Sequence, residues 1–403
     1  MRLARPLVNG EEFLLPQGQV LDPANVRTLQ QQHPHLQVAV VDPDLDETVD
    51  FESDSREAVI SSRIRQRFAR TIQQAKKMLD AGPSLRGVDL RAIETAVSQI
   101  VLFIRDNPIT WALPAENEDN GQEAGMQAGN VFYLSMVLGC TIRGCVAEVA
   151  KQSRHSLVGH PLAKPPDLFP LGLAALLQDI SLWTSLGEME HDRPLSLEQR
   201  ETVYNHPRQS AEMLPKTTDR LAVAAIRDHH ENHNGSGYPR QLAGDEIPLL
   251  ARVLRLADAY ATATSPRGDR PPKSQVTALW EMTCGPYANL YDPTVLKVFQ
   301  AVVQPYPIGA TLRLSCGRHG VVVRHGRMHG LLPEIVIAFD EEHKPLPHQL
   351  MAGPYCLDQH PEIRITSFHG EDLTNVYGCD PIVEDSPPPA PSTFETLFES
   401  SYP

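Results

Sequence analysis

The run His229-His230-Glu231-Asn232-His233-Asn234-Gly235-Ser236-Gly237-Tyr238-Pro239 constrains this chain more than any other stretch. Two adjacent imidazoles stand directly before a turn punctuated by two glycines, and few purely structural needs explain that combination. A divalent ion that must activate water prefers neutral imidazole and carboxylate ligands, so the pair raises the question of a metal. Gly235 and Gly237 permit positive φ, which lets the backbone turn sharply and leave amides free. Pro239 stiffens the exit from the turn, and Tyr238 offers an aromatic face. The plainer alternative is a rigid turn after a helix.

Composition narrows what such a site can serve. A chain of 403 residues with 41% hydrophobic content has room for two or three compact units, each with its own core. The formal net charge of -14 argues against a nucleic-acid surface, which needs a basic patch, and disfavours anionic membrane. No apolar run is long enough to span a bilayer, and Met1-Arg2-Leu3-Ala4-Arg5-Pro6 lacks the hydrophobic segment of a secretory signal, so a cytoplasmic location is expected. The 6 cysteines are scattered without a CxxC pair, which points to neither a zinc site nor a disulfide framework.

Periodicity divides the chain. Residues 1–50 mix β signals at 12–15 and 38–41 with a short helix announced by Asp22-Pro23, giving a small α/β region suited to packing or dimerisation. Val59, Ile60, Ile64, Phe68 and Ile72 recur at helical spacing within 53–80, and a second helix is expected over 88–105. Residues 113–129 read as a loop. Further helices are expected over 131–151, 171–180, from the capping signature Ser196-Leu197-Glu198-Gln199 to His206, over 221–230, and over 249–264 with Pro248 at its first position. The central segment, 53–303, is therefore a helical bundle. From 305 to 384, β-branched runs such as Gly320-Val321-Val322-Val323 suggest a small β unit, and from 385 a Pro-rich tail has linker composition and is expected to be disordered.

The histidine run continues into Leu242, Gly244, Ile247-Pro248, Ala251-Arg252 and Ala257-Asp258, and in this order it resembles the HD-GYP family of metal-dependent cyclic di-GMP phosphodiesterases. The resemblance implies a mainly α fold of HD-type helices. It also implies a ligand set of Asp179, His206 (before Pro207), His229, His230 and Asp258, with Asp179 as the bridging, catalytic carboxylate. Taken singly, each of these residues has an ordinary structural reading.

Upstream the pattern is damaged. Where the family carries Leu-Leu-His-Asp-Ile-Gly-Lys, this chain has Leu176-Leu177-Gln178-Asp179-Ile180-Ser181-Leu182. The family's first His aligns with Leu134, although His155 or His160 could compensate. Gln178 offers at best a carbonyl oxygen. The tempting dipeptide His191-Asp192 lies in a loop and is set aside. For substrate, the resemblance implies contacts from Gly235, Gly237, Tyr238 (stacking on a guanine), Pro239, Arg252, Arg267, Arg270 and Lys273. Arg252 also has a reading as an ion-pair partner inside the bundle.

Two functions follow from this. One is a hydrolase opening cyclic di-GMP to linear pGpG or GMP, weakened by the lost ligands and using at most one tightly held divalent ion, iron or manganese, or none. The other is an inactive sensor or scaffold that binds nucleotide or a diguanylate cyclase (GGDEF) domain; a homodimer is compatible with both.

Overall fold

The computed structural model describes residues 7–9, 12–15, 21, 23–32, 90–106, 123–152, 166–185, 196–265, 271–326 and 329–376. The expected helix over 53–80, the strand at 38–41, the His191-Asp192 dipeptide and the Pro-rich tail lie outside these residues. So do His155, His160, Arg267 and Arg270. The chain divides into two compact units, one helical and one that takes in the β structure of both ends.

The helical unit is built from α2 (Leu90–Asp106), α3 (Glu123–Gln152), α4 (Leu168–Leu177), α5 (Ile180–Ser185), α6 (Leu197–Met213), α7 (Arg220–Asp228), α8 (Leu249–Thr264), α9 (Gln275–Thr283) and α10 (Pro293–Val302), and α1 (Pro23–Gln32) precedes it in the chain. α4 packs against α2, α3, α7 and α8, and all its residues but Phe169 are buried, which is why its sequence is apolar all round rather than striped. Asp167 caps it by accepting from the Phe169 amide at 3.1 Å. α6 opens with the capping box anticipated from sequence, Ser196 and Gln199 exchanging side-chain to backbone bonds.

Several boundaries differ from expectation, three of them by a change of element rather than of length. α3 starts at Glu123, inside the stretch read as a loop, because extending a formed helix costs far less than nucleating one. The single helix expected over 171–180 breaks at Gln178-Asp179, and α5 begins where the Leu182 amide bonds the Asp179 carbonyl at 2.9 Å. Pro248 is the N-cap of α8, with extended ψ of 137°, and not its first helical residue.

The β unit contains β1 (Leu7–Asn9), β2 (Glu12–Leu15) and α1 (Pro23–Gln32), where Leu7 and Leu21 pack with Leu14, Leu15, Val26 and Leu29. It also holds a six-stranded antiparallel sheet of β3 (Thr311–Leu314), β4 (His319–Arg324), β5 (Glu334–Phe339), β6 (Ala352–Cys356), β7 (Ile365–Phe368) and β8 (Glu371–Asp372), in the order β6-β5-β4-β3-β7-β8. Val321 lies opposite Val336, and the two join Ile308, Val323 and Ala338 in one apolar cluster. Among the described residues, no helix is long and apolar enough to cross a membrane.

Candidate metal centre

Two helix irregularities orient the histidines. Pro207 lies inside α6 and has no N–H, so the Val203 carbonyl four residues back loses its usual helical partner. The Nδ1 atom of His206 takes that carbonyl instead. His229 is the C-cap of α7, where carbonyls of the last turn are left over, and its Nδ1 lies 2.6 Å from the Ile226 carbonyl. A carbonyl only accepts, so both rings carry their proton on Nδ1 and present a bare Nε2 lone pair on the far side.

Those lone pairs point at one another. His206 Nε2 and His229 Nε2 are 3.2 Å apart, and Asp179 Oδ1 lies 3.2 Å from the first and 4.0 Å from the second. His230 completes the group, with ligand atoms of His206, His229 and His230 all within 4.8 Å of one another and all three residues buried. Burial, the neighbouring His206 and the Arg255 charge push His229 down to about 3 against the pull of Asp179, so it does not relieve the crowding by taking a proton. Burial raises the Asp179 carboxyl, but the neighbouring His206 and His229 and the Gln178 amide outweigh it and hold the group below its ordinary value. The Asp179 side chain keeps 22% exposure while those of His206 and His229 have none, so water reaches the cluster at the carboxylate. Converging lone pairs, a carboxylate and Nδ1 protons anchored on backbone carbonyls are what a divalent cation requires. The residues fit the ion.

The second cation position implied by the resemblance is built differently. Gln178 is buried, and its Nε2 donates to Asp258 Oδ1 at 3.2 Å and to Asp179 Oδ2 at 3.4 Å, so the amide NH₂ lies between the two carboxylates. The expectation that Gln178 offers its carbonyl oxygen is therefore corrected: two carboxylates select the donor end of the amide. Asp258 meets Gln178, whereas the three-histidine group forms without it. Leu134 is buried in α3 and supplies no ligand atom. Ser181, in the place of the family's glycine, ties this segment to α6, its Oγ donating to the His206 carbonyl at 3.1 Å and lying 2.9 Å from Ser210 Oγ.

The turn after the pair behaves only partly as anticipated. Gly235 has φ of +81°, but Gly237 does not take positive φ; a Cβ there would lie 2.2 Å from the Asn232 nitrogen and 2.5 Å from the His230 carbonyl oxygen, so close approach is what demands glycine. Tyr238 does not project into solvent. Its ring is buried and stacked between Tyr204 at 4.7 Å and His230 at 4.8 Å, which occupies both faces. Pro239 follows through a cis peptide bond. Glu231 clamps the loop, its carboxylate accepting from the Arg240 amide at 2.6 Å and the Leu242 amide at 2.9 Å. Nothing but its place beside the histidines marked it in the sequence.

Two of the expected substrate cations are engaged elsewhere. Arg252 pairs with Asp292 at 2.7 Å and Asp245 at 3.0 Å and donates to the Ile247 carbonyl, with a side chain only 9% exposed; the ion-pair reading of this residue replaces the substrate-contact reading. Lys273 pairs with Glu281 at 2.5 Å and lies over the Tyr287 ring. The residues that sequence reading overlooked, Arg255 and Asn232 among them, carried no spacing signal of their own.

Residues 153–295 match the family model described as HD domain. A cyclic di-GMP phosphodiesterase of Pseudomonas aeruginosa is 35% identical over 186 residues, which cover 45% of this chain and 44% of the relative. A cyclic di-GMP phosphodiesterase of Vibrio cholerae is 34% identical over 120 residues, 28% of this chain and 24% of the relative. The chain thus spans less than half of the length of these relatives. Among solved structures, an HDG"Y"P protein from Bdellovibrio bacteriovorus aligns over 74% of this chain and 94% of its own, at 14% identity and a TM-score of 0.38.

Proposed function

We propose that the helical part of this chain, which matches the HD domain model and is similar to cyclic di-GMP phosphodiesterases, hydrolyses cyclic di-GMP to linear pGpG using one divalent ion, iron or manganese, at a reduced rate. The observation that carries this reading is the 3.2 Å approach of two Nε2 lone pairs whose Nδ1 protons are committed to backbone carbonyls. Like dipoles at that distance repel unless a cation lies among them. His206, His229, His230 and Asp179 would hold it. A bound divalent ion supplies Lewis-acid stabilisation of charge on phosphoryl oxygens and eases deprotonation of water.

The chain's own groups do the rest. Asp179, at the solvent-reached edge of the cluster, accepts a proton from the attacking water. Burial keeps His229 neutral, and the Val203 and Ile226 carbonyls hold the Nε2 atoms of His206 and His229 turned toward the cluster. Water adds to one phosphorus, the ester bond to a ribose oxygen breaks, that oxygen takes a proton from solvent, and Asp179 returns its proton to solvent. Gln178 limits the rate: an amide between Asp179 and Asp258 satisfies both carboxylates but adds no positive charge, and losing one charge-stabilising donor costs about a hundredfold or more. The complete histidine group and the phosphodiesterase relatives favour a slow hydrolase over an inactive scaffold.

Anaerobic reconstitution with iron or manganese, elemental analysis and chromatography of the nucleotide products test this. We expect one ion per chain, slow formation of pGpG, and loss of both in His229→Ala. Gln178→His alone should leave the ion content at one, and adding Leu134→His should raise it toward two. Two ions in the unmodified protein, or hydrolysis that persists in His229→Ala, would refute the reading.

A further inference from the structure

Among the described residues, Arg255 is the largest side chain fully enclosed in the helical unit, at 2% exposure, and the hydrolase reading leaves it unused. Its Nε donates to Asn232 Oδ1 at 2.9 Å, and its guanidinium lies 5.4 Å from the centre of the Tyr291 ring. Among the described residues, none accepts a hydrogen bond from Nη1 or Nη2. An enclosed cation with so little compensation is costly where leucine or methionine would pack. Its one firm bond is therefore informative.

That bond ends on the centre of the glycine turn. Asn232 is buried, donates through Nδ2 to Ser236 Oγ at 3.1 Å, and accepts the Gly235 amide on its carbonyl at 2.8 Å. Ser236 in turn bonds Asn234 Oδ1 through both its amide, at 3.0 Å, and its hydroxyl, at 2.6 Å. Gly237 packs on the Asn232 nitrogen with no room for a Cβ. Arg255 and Asp258 are one turn apart on α8, so the helix that carries Asp258 also grips the turn leaving the His229-His230 pair.

We propose that Arg255 is a positioning residue: through Asn232 it fixes where the turn tip Asn234-Gly235-Ser236, with Asn234 exposed, stands relative to the histidine cluster, and so governs how the cyclic dinucleotide is seated rather than whether the cation is held. This rests on the hydrolase reading and adds a residue to it. The test is a double-variant cycle on the full chain with Arg255→Met, Asn232→Ala and the pair combined, read by cobalt content, the cobalt visible spectrum, kcat, KM and equilibrium binding of cyclic di-GMP. Each single variant should keep one cobalt and an unchanged spectrum, weaken nucleotide binding and raise KM about tenfold, and move kcat much less. The combined variant should be no worse than either single one, because both break the same link. Arg255→Lys, which keeps the charge and a donor, should recover part of the loss. Ser236→Ala gives the same reading from the far end of the link if Arg255→Met does not fold. Fully additive losses, or a changed cobalt spectrum, would overturn the role of Arg255. An unmodified protein that holds cobalt yet neither binds nor cleaves cyclic di-GMP would instead overturn the hydrolase reading.

Discussion

Tyr238 shows how residue identity can suggest a role that packing withdraws. An aromatic residue after two glycines invites a base-stacking assignment, yet both its faces are filled, by Tyr204 and by the imidazole of His230. Its contribution is to hold the His230 ring plane, since the Tyr238 amide also donates to the His230 carbonyl at 3.1 Å. Tyr238→Phe keeps the stack and should leave KM for cyclic di-GMP within about twofold. Tyr238→Ala should destabilise the helical unit by about 3–5 kcal/mol, as for other large aromatic truncations in cores. Urea unfolding and steady-state kinetics on the two variants check this, and a large KM change in Tyr238→Phe with unaltered stability would restore a substrate contact.

Among the elements, the loop after the glycine turn, α8 and α10 are joined by Arg252 and Asp292. Asp292 caps α10, its Oδ1 accepting from the Thr294 amide at 2.7 Å and the Val295 amide at 3.0 Å, while Oδ2 receives Arg252. Burial raises the Asp292 carboxyl, but Arg252 and the two amides outweigh it and hold it below the ordinary carboxylate value. A carboxyl whose folded pKa is depressed binds its proton more readily in the unfolded chain. Its stabilisation is thus complete above the unfolded value of about 3.9 and is lost as pH falls through the lower folded value. We expect unfolding midpoints to decline on acidification below about pH 4 and Asp292→Asn to flatten that part of the profile. Asp292→Ala should cost about 3 kcal/mol or more at neutral pH, because it leaves Arg252 buried without its nearer carboxylate and α10 without a cap. An unchanged acid limb in Asp292→Asn would show that other carboxylates dominate it.

For the whole molecule, the two units offer a way to locate the ion by its effect on stability. A ligand that binds only the folded state stabilises it by about 2.7 kcal/mol at a hundred times its dissociation constant. All the residues that fit the cation lie in the helical unit, so manganese should raise the unfolding temperature seen by helical circular dichroism and leave the β unit's transition in place. Because the Gln178 amide already satisfies Asp179 and Asp258, chelation should lower the helical transition without abolishing it. Calorimetry with and without chelator would register both effects. A metal-dependent shift confined to the β unit would place the ion elsewhere.

Local chemistry was enough, in the sequence, to announce the capping box at Ser196, the helix over α8, the positive φ of Gly235 and the ordered histidine–aspartate pattern, because caps, periodicity and left-handed turns are written in a few adjacent residues. What the tertiary structure decided were properties of facing pairs far apart in the chain. Gln178 turns its NH₂ inward because Asp179 and Asp258 converge on it, and Arg252 is spent on Asp292, forty residues away. Tyr238 is sealed by Tyr204, and Arg255 finds Asn232 across a helix and a turn. Each of these outcomes depends on which group meets a side chain in a dry interior, where an unmatched polar atom or charge is expensive, and no spacing within one segment carries that information.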